Sequence, residues 1–244
     1  MIRSLGLALC AWLCSCTWLC CQTGVVRAAM VPNAITGIVG IPYQQGDNAT
    51  FDGDGNIQRV FNGGGLTVGD PLNPATWTHE SSWQNGWQGN GLTNTTLVAD
   101  LGSIRSQLAN MFIWNVTESG ATTLNRGTQT INIYYATSPT VTPTLNTPTN
   151  FASGGWTLLA TNVPVTIGLS NGASPINATV DLSSIPAARY IGLTLNQNYG
   201  ATAPDRIGLA EIQITTAVAV PEPTGLLAAG VVAGGLLVLR KRRG

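Results

Sequence analysis

Charged side chains are scarce in this chain of 244 residues. They make up 9 % of the sequence, whereas about 25 % is typical of soluble proteins. Lys241 is the only lysine and lies in a basic cluster at residues 240–243. Because these four basic residues stand at the C-terminus and the total charge is balanced, acidic residues outnumber basic ones in the long middle of the chain. The middle therefore lacks a basic patch that could neutralise several phosphates, and we expect no binding to nucleic acid.

Cysteine is absent after residue 21, and histidine occurs once, as His79. The five cysteines all lie near the N-terminus, and they are Cys10, Cys14, Cys16, Cys20 and Cys21. Beyond them the chain has no thiol nucleophile and no cysteine ligands for zinc. A single histidine also excludes a metal site with two histidine ligands. These absences predict a protein without catalytic activity.

The N-terminal segment has the pattern of a secretory signal peptide. A charged start with Arg3 precedes an apolar stretch at residues 5–19, and Val26-Arg27-Ala28 supplies the small residues that a signal peptidase needs. We predict cleavage after Ala28, so that residues 1–28 form the signal peptide. A retained N-terminal anchor and a lipoprotein signal are the alternatives.

The C-terminal segment, residues 217–244, has three parts in a fixed order: a motif with two prolines, an apolar run at 226–239 and a basic cluster. The motif and the cluster comprise Val220, Pro221, Glu222, Pro223, Arg240, Lys241, Arg242 and Arg243. Prolines interrupt regular structure, and a basic cluster holds its end of an apolar span on the cytoplasmic side of a membrane. The segment therefore predicts a transmembrane helix that is separate from the folded domain.

This three-part segment resembles the PEP-CTERM sorting signal of bacteria that make extracellular polysaccharide. The resemblance implies that an exosortase, a membrane-embedded cysteine peptidase, is a partner of the chain and cleaves it near Pro221-Glu222-Pro223. It also implies delivery to the cell surface or the extracellular matrix, after attachment to the envelope membrane through the C-terminus. An ordinary C-terminal anchor is the alternative, although it would not need the Pro-Glu-Pro motif.

Residues 29–216 predict a single all-β domain. Seven short segments alternate apolar and polar residues or form short apolar runs, and breaks rich in turn-forming residues separate them. These segments are 96–101, 111–114, 130–135, 156–159, 178–182, 190–195 and 211–214. Several short strands without helical periodicity are typical of a β-sandwich or jelly roll.

The order of motifs in this domain resembles that of the discoidin-like (coagulation factor C-domain) modules. The motifs lie at residues 100–103, 113–115, 125–127, 131–135, 156, 188–193 and 208–212. The resemblance implies an eight-stranded jelly-roll β-sandwich with a galactose-binding-like topology. It also implies that sugars, lipid head groups or proteins bind through loops at one end of the sandwich.

A structural calcium ion is a further implication of the resemblance, because such modules often hold one between the first loop and the last strand. Residues 62–67 fall at the loop spacing of the family, and residues 210–211 match its closing motif. The implied ligands are Arg59, Asn62, Gly64, Thr67, Ala210 and Glu211. Asn62 stands where an acidic residue is usual, which lowers the expected affinity. The alternative is that Asn62-Gly63 only turns the chain and Glu211 is hydrogen-bonded.

Three tryptophans, Trp77, Trp83 and Trp87, lie in a segment rich in glycine, asparagine and glutamine. Exposed aromatic faces stack on sugar rings, and amides supply hydrogen bonds. We therefore predict Trp77 and Trp87 as ligand contacts and expect Trp83 to lie in the core. The alternative is that all three pack against the sandwich.

Together these features predict an exported cell-surface or matrix protein, a non-catalytic module for adhesion or carbohydrate binding. Its expected partners are polysaccharide or other surface proteins. One alternative is a structural envelope protein without a ligand. Another is a hydrolase that uses a carboxylate pair such as Asp52 and Asp54, but carboxylates this close in a turn are placed too loosely to flank a glycosidic bond.

Overall fold

The structure is a computed structural model that describes residues 30–43, 56–90, 95–118, 123–170, 173–200 and 206–217. The predicted signal peptide, the sorting signal from Val220 onward and the Asp52 and Asp54 pair lie outside these residues. Within the described part of the chain, no helix is long and apolar enough to cross a membrane.

Regular structure in the described residues consists of strands joined by turns and short 3-10 segments, which confirms the predicted all-β class. The strands are β1 Val39–Pro42, β2 Leu66–Thr67, β3 Thr78–His79, β4 Trp87–Asn90, β5 Thr95–Arg105, β6 Leu108–Trp114, β7 Thr128–Ala136, β8 Thr157–Pro164, β9 Ser174–Pro175, β10 Ala178–Asp181, β11 Ala188–Asn198, β12 Arg206–Leu209 and β13 Glu211–Thr216. The 3-10 segments are Ile57–Phe61, Pro74–Thr76, Trp83–Asn85 and Thr123–Arg126.

The strands form two main sheets that face each other. One sheet has five antiparallel strands in the order β1-β5-β11-β7-β8. The other has the order β10-β6-β13, and the β12-β4 pair contributes to the same core. A small sheet, β2-β3-β9, completes the described strands. The arrangement is the predicted β-sandwich.

Alternation along the strands explains the core between the sheets. Since successive side chains of a strand point to opposite faces, residues two apart share a face. The five-stranded sheet contributes Leu97, Ala99, Leu101, Ile131, Ile133, Ile191, Leu193 and Leu195, all buried. The opposite sheet contributes Leu108, Met111, Ile113, Val180, Ile212 and Ile214. Both sets belong to one continuous cluster, so apolar burial holds the two sheets together.

The Ile57–Phe61 segment packs against β1 and sets the position of the loop that follows. Asn56 begins the segment, and its side chain accepts a hydrogen bond from the backbone N–H of Gln58. Gly40 allows the close contact, because a Cβ there would lie 2.7 Å from Cγ1 of Ile57. The chain therefore enters residues 62–65 from a fixed position in the core.

Candidate functional site

Residues 62–65, called here the glycine loop, meet the last strand at Glu211. Gly63 and Gly65 have positive φ angles of 74° and 80°, a backbone region that favours glycine. The backbone N–H of Gly63 donates a 3.1 Å hydrogen bond to Oε1 of Glu211. Oδ1 of Asn62 accepts a 2.7 Å bond from the N–H of Gly64, which tightens the turn. The structure thus brings together two segments that lie far apart in the sequence.

The Glu211 carboxyl group is fully buried, with 0 % of the residue exposed. Its Oε1 also accepts a hydrogen bond from Nε2 of Gln213, whereas its Oε2 has no partner. Oε1 of Gln213 is likewise buried without a partner. Burial raises the pKa of Glu211 well above its usual range. A carboxyl group in this setting either keeps its proton or balances its charge with a cation.

The other residues implied as calcium ligands are placed less directly. Thr67 is exposed and pairs with Thr78 in the small sheet, and the guanidinium of Arg59 donates to the carbonyl of Gln84. Ala210 is buried, and its N–H donates to the Trp114 carbonyl at 2.9 Å. Among the described residues, no three histidine, cysteine, aspartate or glutamate side chains converge on one point. A cation at Glu211 would therefore depend on neutral oxygen ligands from the loop.

Trp77 and Trp87 do not offer the exposed ring faces that the sequence analysis assigned to them. Trp77 is 3 % exposed and Trp87 is 0 % exposed. Nε1 of Trp77 donates a 3.0 Å hydrogen bond to the Asp70 carbonyl, and Trp87 lies in β4 opposite Leu209 of β12. Both rings belong to the core, so the prediction that they stack on a sugar from the surface is corrected. The side chain of Trp83 lies outside the described residues.

His79 is also part of the interior. Its Nδ1 lies 3.2 Å from Oγ1 of Thr117 and 2.9 Å from the Glu80 carbonyl. Burial lowers the pKa of His79, which favours the neutral ring. No serine hydroxyl bonds to this imidazole among the described hydrogen bonds. The arrangement suits a packed structural histidine.

The outer face of the five-stranded sheet carries an aromatic cluster that the sequence analysis did not foresee as a site. Val98, Gly192 and Tyr134 lie side by side on β5, β11 and β7. The β7–β8 loop, residues 137–156, covers this row with Phe151 and Trp156. Phe151 stacks on Tyr134 at 4.6 Å between ring centroids, and Trp156 meets Phe151 edge-on at 4.8 Å.

A hollow of about 140 Å³ opens between this loop and the indole of Trp156, which is half-buried. We call it the Trp156 hollow. Its wall consists of Val141, Thr142, Pro143, Thr144, Thr147, Pro148, Thr149, Asn150, Ser153, Gly154 and Trp156. Every one of these side chains is uncharged. The hollow therefore combines one aromatic surface with hydroxyl and amide groups.

A second hollow, of about 440 Å³, lies beside the glycine loop. Its wall consists of Met30, Thr36, Gly37, Ile38, Gln58, Phe61 and Asn62. These side chains are again uncharged, but few of them carry hydroxyl groups. This hollow is more apolar than the Trp156 hollow.

One signal in the sequence could have pointed to the Trp156 hollow. The β7–β8 loop is twenty residues long and rich in threonine and proline, and loops longer than about 12–15 residues in compact domains are usually functional or disordered. Its turn-forming residues indicated only a break between strands. Only its last residue, Trp156, was singled out, as part of a family motif.

No known protein family model matches the chain, and no curated protein matches it. Solved structures that resemble it include the family 32 CBM of C. perfringens NanJ in complex with galactose, at 18 % identity and a TM-score of 0.41, covering 75 % of this chain and 97 % of that one. The lectin domain of lectinolysin complexed with Lewis B antigen matches at 12 % identity and a TM-score of 0.42, covering 78 % and 100 %. A Streptococcus pneumoniae fucose-binding module matches at 13 % identity and a TM-score of 0.42, covering 77 % and 96 %. With TM-scores below 0.5, these likenesses establish neither family membership nor a ligand for this chain.

Proposed function

We propose that this chain is an exported, non-catalytic module that binds neutral polysaccharide at the cell surface or in the extracellular matrix. The observation that carries the proposal is the chemistry of the two hollows, since no charged side chain lines either of them. Hydroxyl, amide and aromatic groups recognise uncharged sugars through hydrogen bonds and ring contacts. Acidic or basic ligands would find no opposite charge in these walls.

Three of the described carboxylates, Asp100, Glu118 and Glu211, are engaged by other side chains or enclosed. Asp100 is engaged by Arg189 through two hydrogen bonds of 3.0 Å, and Glu118 lies 3.7 Å from the Arg126 guanidinium. Glu211 is enclosed beneath the glycine loop. None of these carboxylates lines either hollow. A pair of carboxylates placed across a bound sugar, which glycoside hydrolysis needs, is therefore not formed by them.

The sorting of the chain is part of the same proposal. The last described strand ends at Thr216, four residues before the Val220-Pro221-Glu222-Pro223 motif that resembles a PEP-CTERM signal. An exosortase would act on Pro221-Glu222-Pro223 and release the domain to the surface or matrix. The membrane is then a temporary attachment.

A structural calcium ion at Glu211 completes the proposal. The unpartnered Oε2 of Glu211 and the unpartnered Oε1 of Gln213 are buried oxygens, the ligand type that calcium prefers. The carbonyl of Gly64 and the side chain of Asn62 belong to the adjoining loop and offer neutral oxygens. Such an ion would join the glycine loop to β13 and stabilise the fold, and it would take no part in a reaction.

Affinity gel electrophoresis tests the binding function directly. The full chain, purified in detergent, is run through gels that contain dextran, a galactomannan or the polyuronate alginate. We expect retardation in at least one neutral gel and none in alginate. Migration that no neutral polysaccharide retards would contradict the proposal and favour a structural envelope protein without a ligand. Release of reducing sugar from these polymers would show hydrolase activity instead.

A further inference from the structure

We propose that the Trp156 hollow is the polysaccharide-binding site and that it holds one neutral sugar ring against the Trp156 indole. This inference rests on the proposed function and adds the position of the site and the class of its ligand. It places the ligand on the outer face of the five-stranded sheet. The loops at one end of the sandwich, where the family resemblance implies binding, have no part in it.

The Trp156 ring is held as a fixed platform. Phe151 meets it edge-on at 4.8 Å, and the Tyr190 ring lies 6.4 Å away at a tilt of 60°. Gly192 makes room beneath both rings, because a Cβ there would lie 2.3 Å from Phe151 and 3.0 Å from Trp156. The indole is only half-buried, so part of its surface stays open to the hollow. A platform that is already oriented loses little freedom when a sugar binds.

The rest of the wall matches the edges of a sugar ring. Thr142, Thr144, Thr147, Thr149 and Ser153 carry hydroxyl groups, and Asn150 carries an amide. These groups both donate and accept hydrogen bonds, as sugar hydroxyls do. The absence of charge from this wall favours neutral sugars over uronic acids, whose carboxylates would lose water without gaining a cation.

The size of the hollow limits how much of the polymer enters it. A volume of about 140 Å³ is well below the roughly 300–1,000 Å³ of pockets that enclose drug-sized ligands. One ring therefore occupies the hollow, while its neighbours along the chain remain in solvent. Recognition of a single ring gives weak binding by each domain, which suits a module that acts in many copies at a surface.

The loop that forms the wall is attached to the sheet at several points. The N–H of Asn146 donates to the Pro42 carbonyl of β1 at 3.2 Å, and the N–H of Thr149 donates to Oγ1 of Thr96 on β5 at 3.4 Å. Within the loop, the N–H of Thr140 donates to the Gly154 carbonyl at 2.8 Å. These bonds give the long loop a defined shape before any ligand binds, which reduces the entropy cost of binding.

Other surfaces of the described residues fit a sugar less well. The indoles of Trp77 and Trp87 are buried. The hollow of about 440 Å³ beside the glycine loop contains Phe61, but that ring is itself buried among Ile57, Val60 and other core residues. The Trp156 hollow is the described position where a partly open aromatic ring faces a wall rich in hydroxyl groups.

The test compares four variants in affinity electrophoresis, again with the full chain and with whichever of dextran or galactomannan retards the wild type. Trp156→Ala removes the platform, and Trp156→Phe keeps a smaller ring. Ser153→Glu adds a bulky negative charge at the exposed rim of the hollow, and Ser184→Glu is the matched control at an exposed serine elsewhere. Far-ultraviolet circular dichroism checks that each variant is folded.

We expect Trp156→Ala and Ser153→Glu to weaken binding by about tenfold or more, as truncation of a central aromatic contact commonly does. Trp156→Phe should lie between Trp156→Ala and the wild type, and Ser184→Glu should bind as the wild type does. Wild-type affinity of Ser153→Glu, or of a folded Trp156→Ala, would overturn this site while the proposed function stands. A wild type that binds no neutral polysaccharide would overturn both proposals.

Discussion

At the residue scale, Glu211 is the most constrained titratable group of the described chain. A fully buried carboxylate without a bonded cation is costly, and proteins avoid that cost by protonation or by metal binding. The unpartnered Oε2 next to the glycine loop is compatible with both. The two outcomes make different predictions for stability as a function of pH, so they can be told apart.

Without calcium, the free energy of unfolding should fall as the pH rises. The pKa of Glu211 in the folded chain is raised above its ordinary value of 4.5, so the stabilising proton is fully bound below that value. It is lost as the pH rises through the folded pKa. Urea unfolding of the full chain in EDTA, at several pH values above 4.5, measures this slope. Glu211→Gln should abolish the part of the pH dependence that comes from Glu211. The lowered pKa of His79 has the opposite effect, a stability that rises with pH, and the variant leaves that effect in place.

Excess calcium should remove most of that slope, because the ion would replace the proton on Glu211. At a hundredfold excess over the dissociation constant, linkage adds about 2.7 kcal/mol of stability. Glu211→Gln should not respond to calcium. Identical unfolding curves of the wild type with calcium and with EDTA would mean that Glu211 is only protonated and hydrogen-bonded.

The tryptophans provide a second comparison at the residue scale. Replacing a buried tryptophan by alanine leaves a cavity and typically costs about 3–5 kcal/mol of stability. We expect Trp77→Ala and Trp87→Ala to fall in this range, because both rings are buried. Trp156→Ala should cost less, since that ring is half-buried. Equal losses for all three in urea unfolding would show that Trp156 is as much a core residue as the others.

At the element scale, β11 and the β7–β8 loop act together. Phe151 and Trp156 pack against β11 at Gly192. Gly192→Ala should therefore push both rings outward, with a loss of about 1–3 kcal/mol of stability and weaker polysaccharide binding. Thr194→Ala, two residues along the same face of β11, is the control and should change binding little. Unaltered binding and stability in Gly192→Ala would show that the loop does not depend on this contact.

The strands show how far local sequence patterns predict this fold. Alternation in residues 130–135 and 190–195 indicated β7 and β11 correctly, because half-buried strands leave a period-two pattern in their own residues. The short strands β4 and β12 were not predicted. Each has four residues, and their pairing joins positions far apart in the sequence, so little local pattern marks them.

The site residues were harder to predict for the same reason. A segment rich in glycine, asparagine and glutamine suggested that Trp87 is exposed, yet β4 pairs with the distant strand β12 and the Trp87 ring belongs to the main core cluster. Trp156 follows two glycines and stays half-buried at the end of the loop that covers the outer face of the sheet. Composition around a tryptophan therefore does not decide its burial. Contacts between distant segments decide it.

At the scale of the whole molecule, the proposal gives the domain and its C-terminal segment separate tasks, namely binding and sorting. The described residues end at Ala217, and the Pro-Glu-Pro motif of the predicted sorting segment, residues 217–244, follows from Val220 onward. Replacing Pro221, Glu222 and Pro223 by alanine should block exosortase processing, since the resemblance implies cleavage near this motif. Immunoblots of cell fractions from an exosortase-containing host measure the processed form. Replacing the basic residues 240–243 by serine is the contrasting variant, and it should weaken membrane retention before processing.

Unchanged processing of the Pro221, Glu222 and Pro223 variant would contradict the sorting proposal, and the C-terminal segment would then be an ordinary anchor. The binding function does not depend on this outcome.

A glycan array probed with the labelled full chain is the most direct test of the central claim, the binding of neutral polysaccharide by a non-catalytic module. Arrays present neutral and charged glycans side by side under one set of conditions. We predict signals confined to neutral glycans, lost in Ser153→Glu and kept in Ser184→Glu. Signals that are strongest on sulfated or uronate glycans, or the absence of any signal from a folded chain, would contradict the claim.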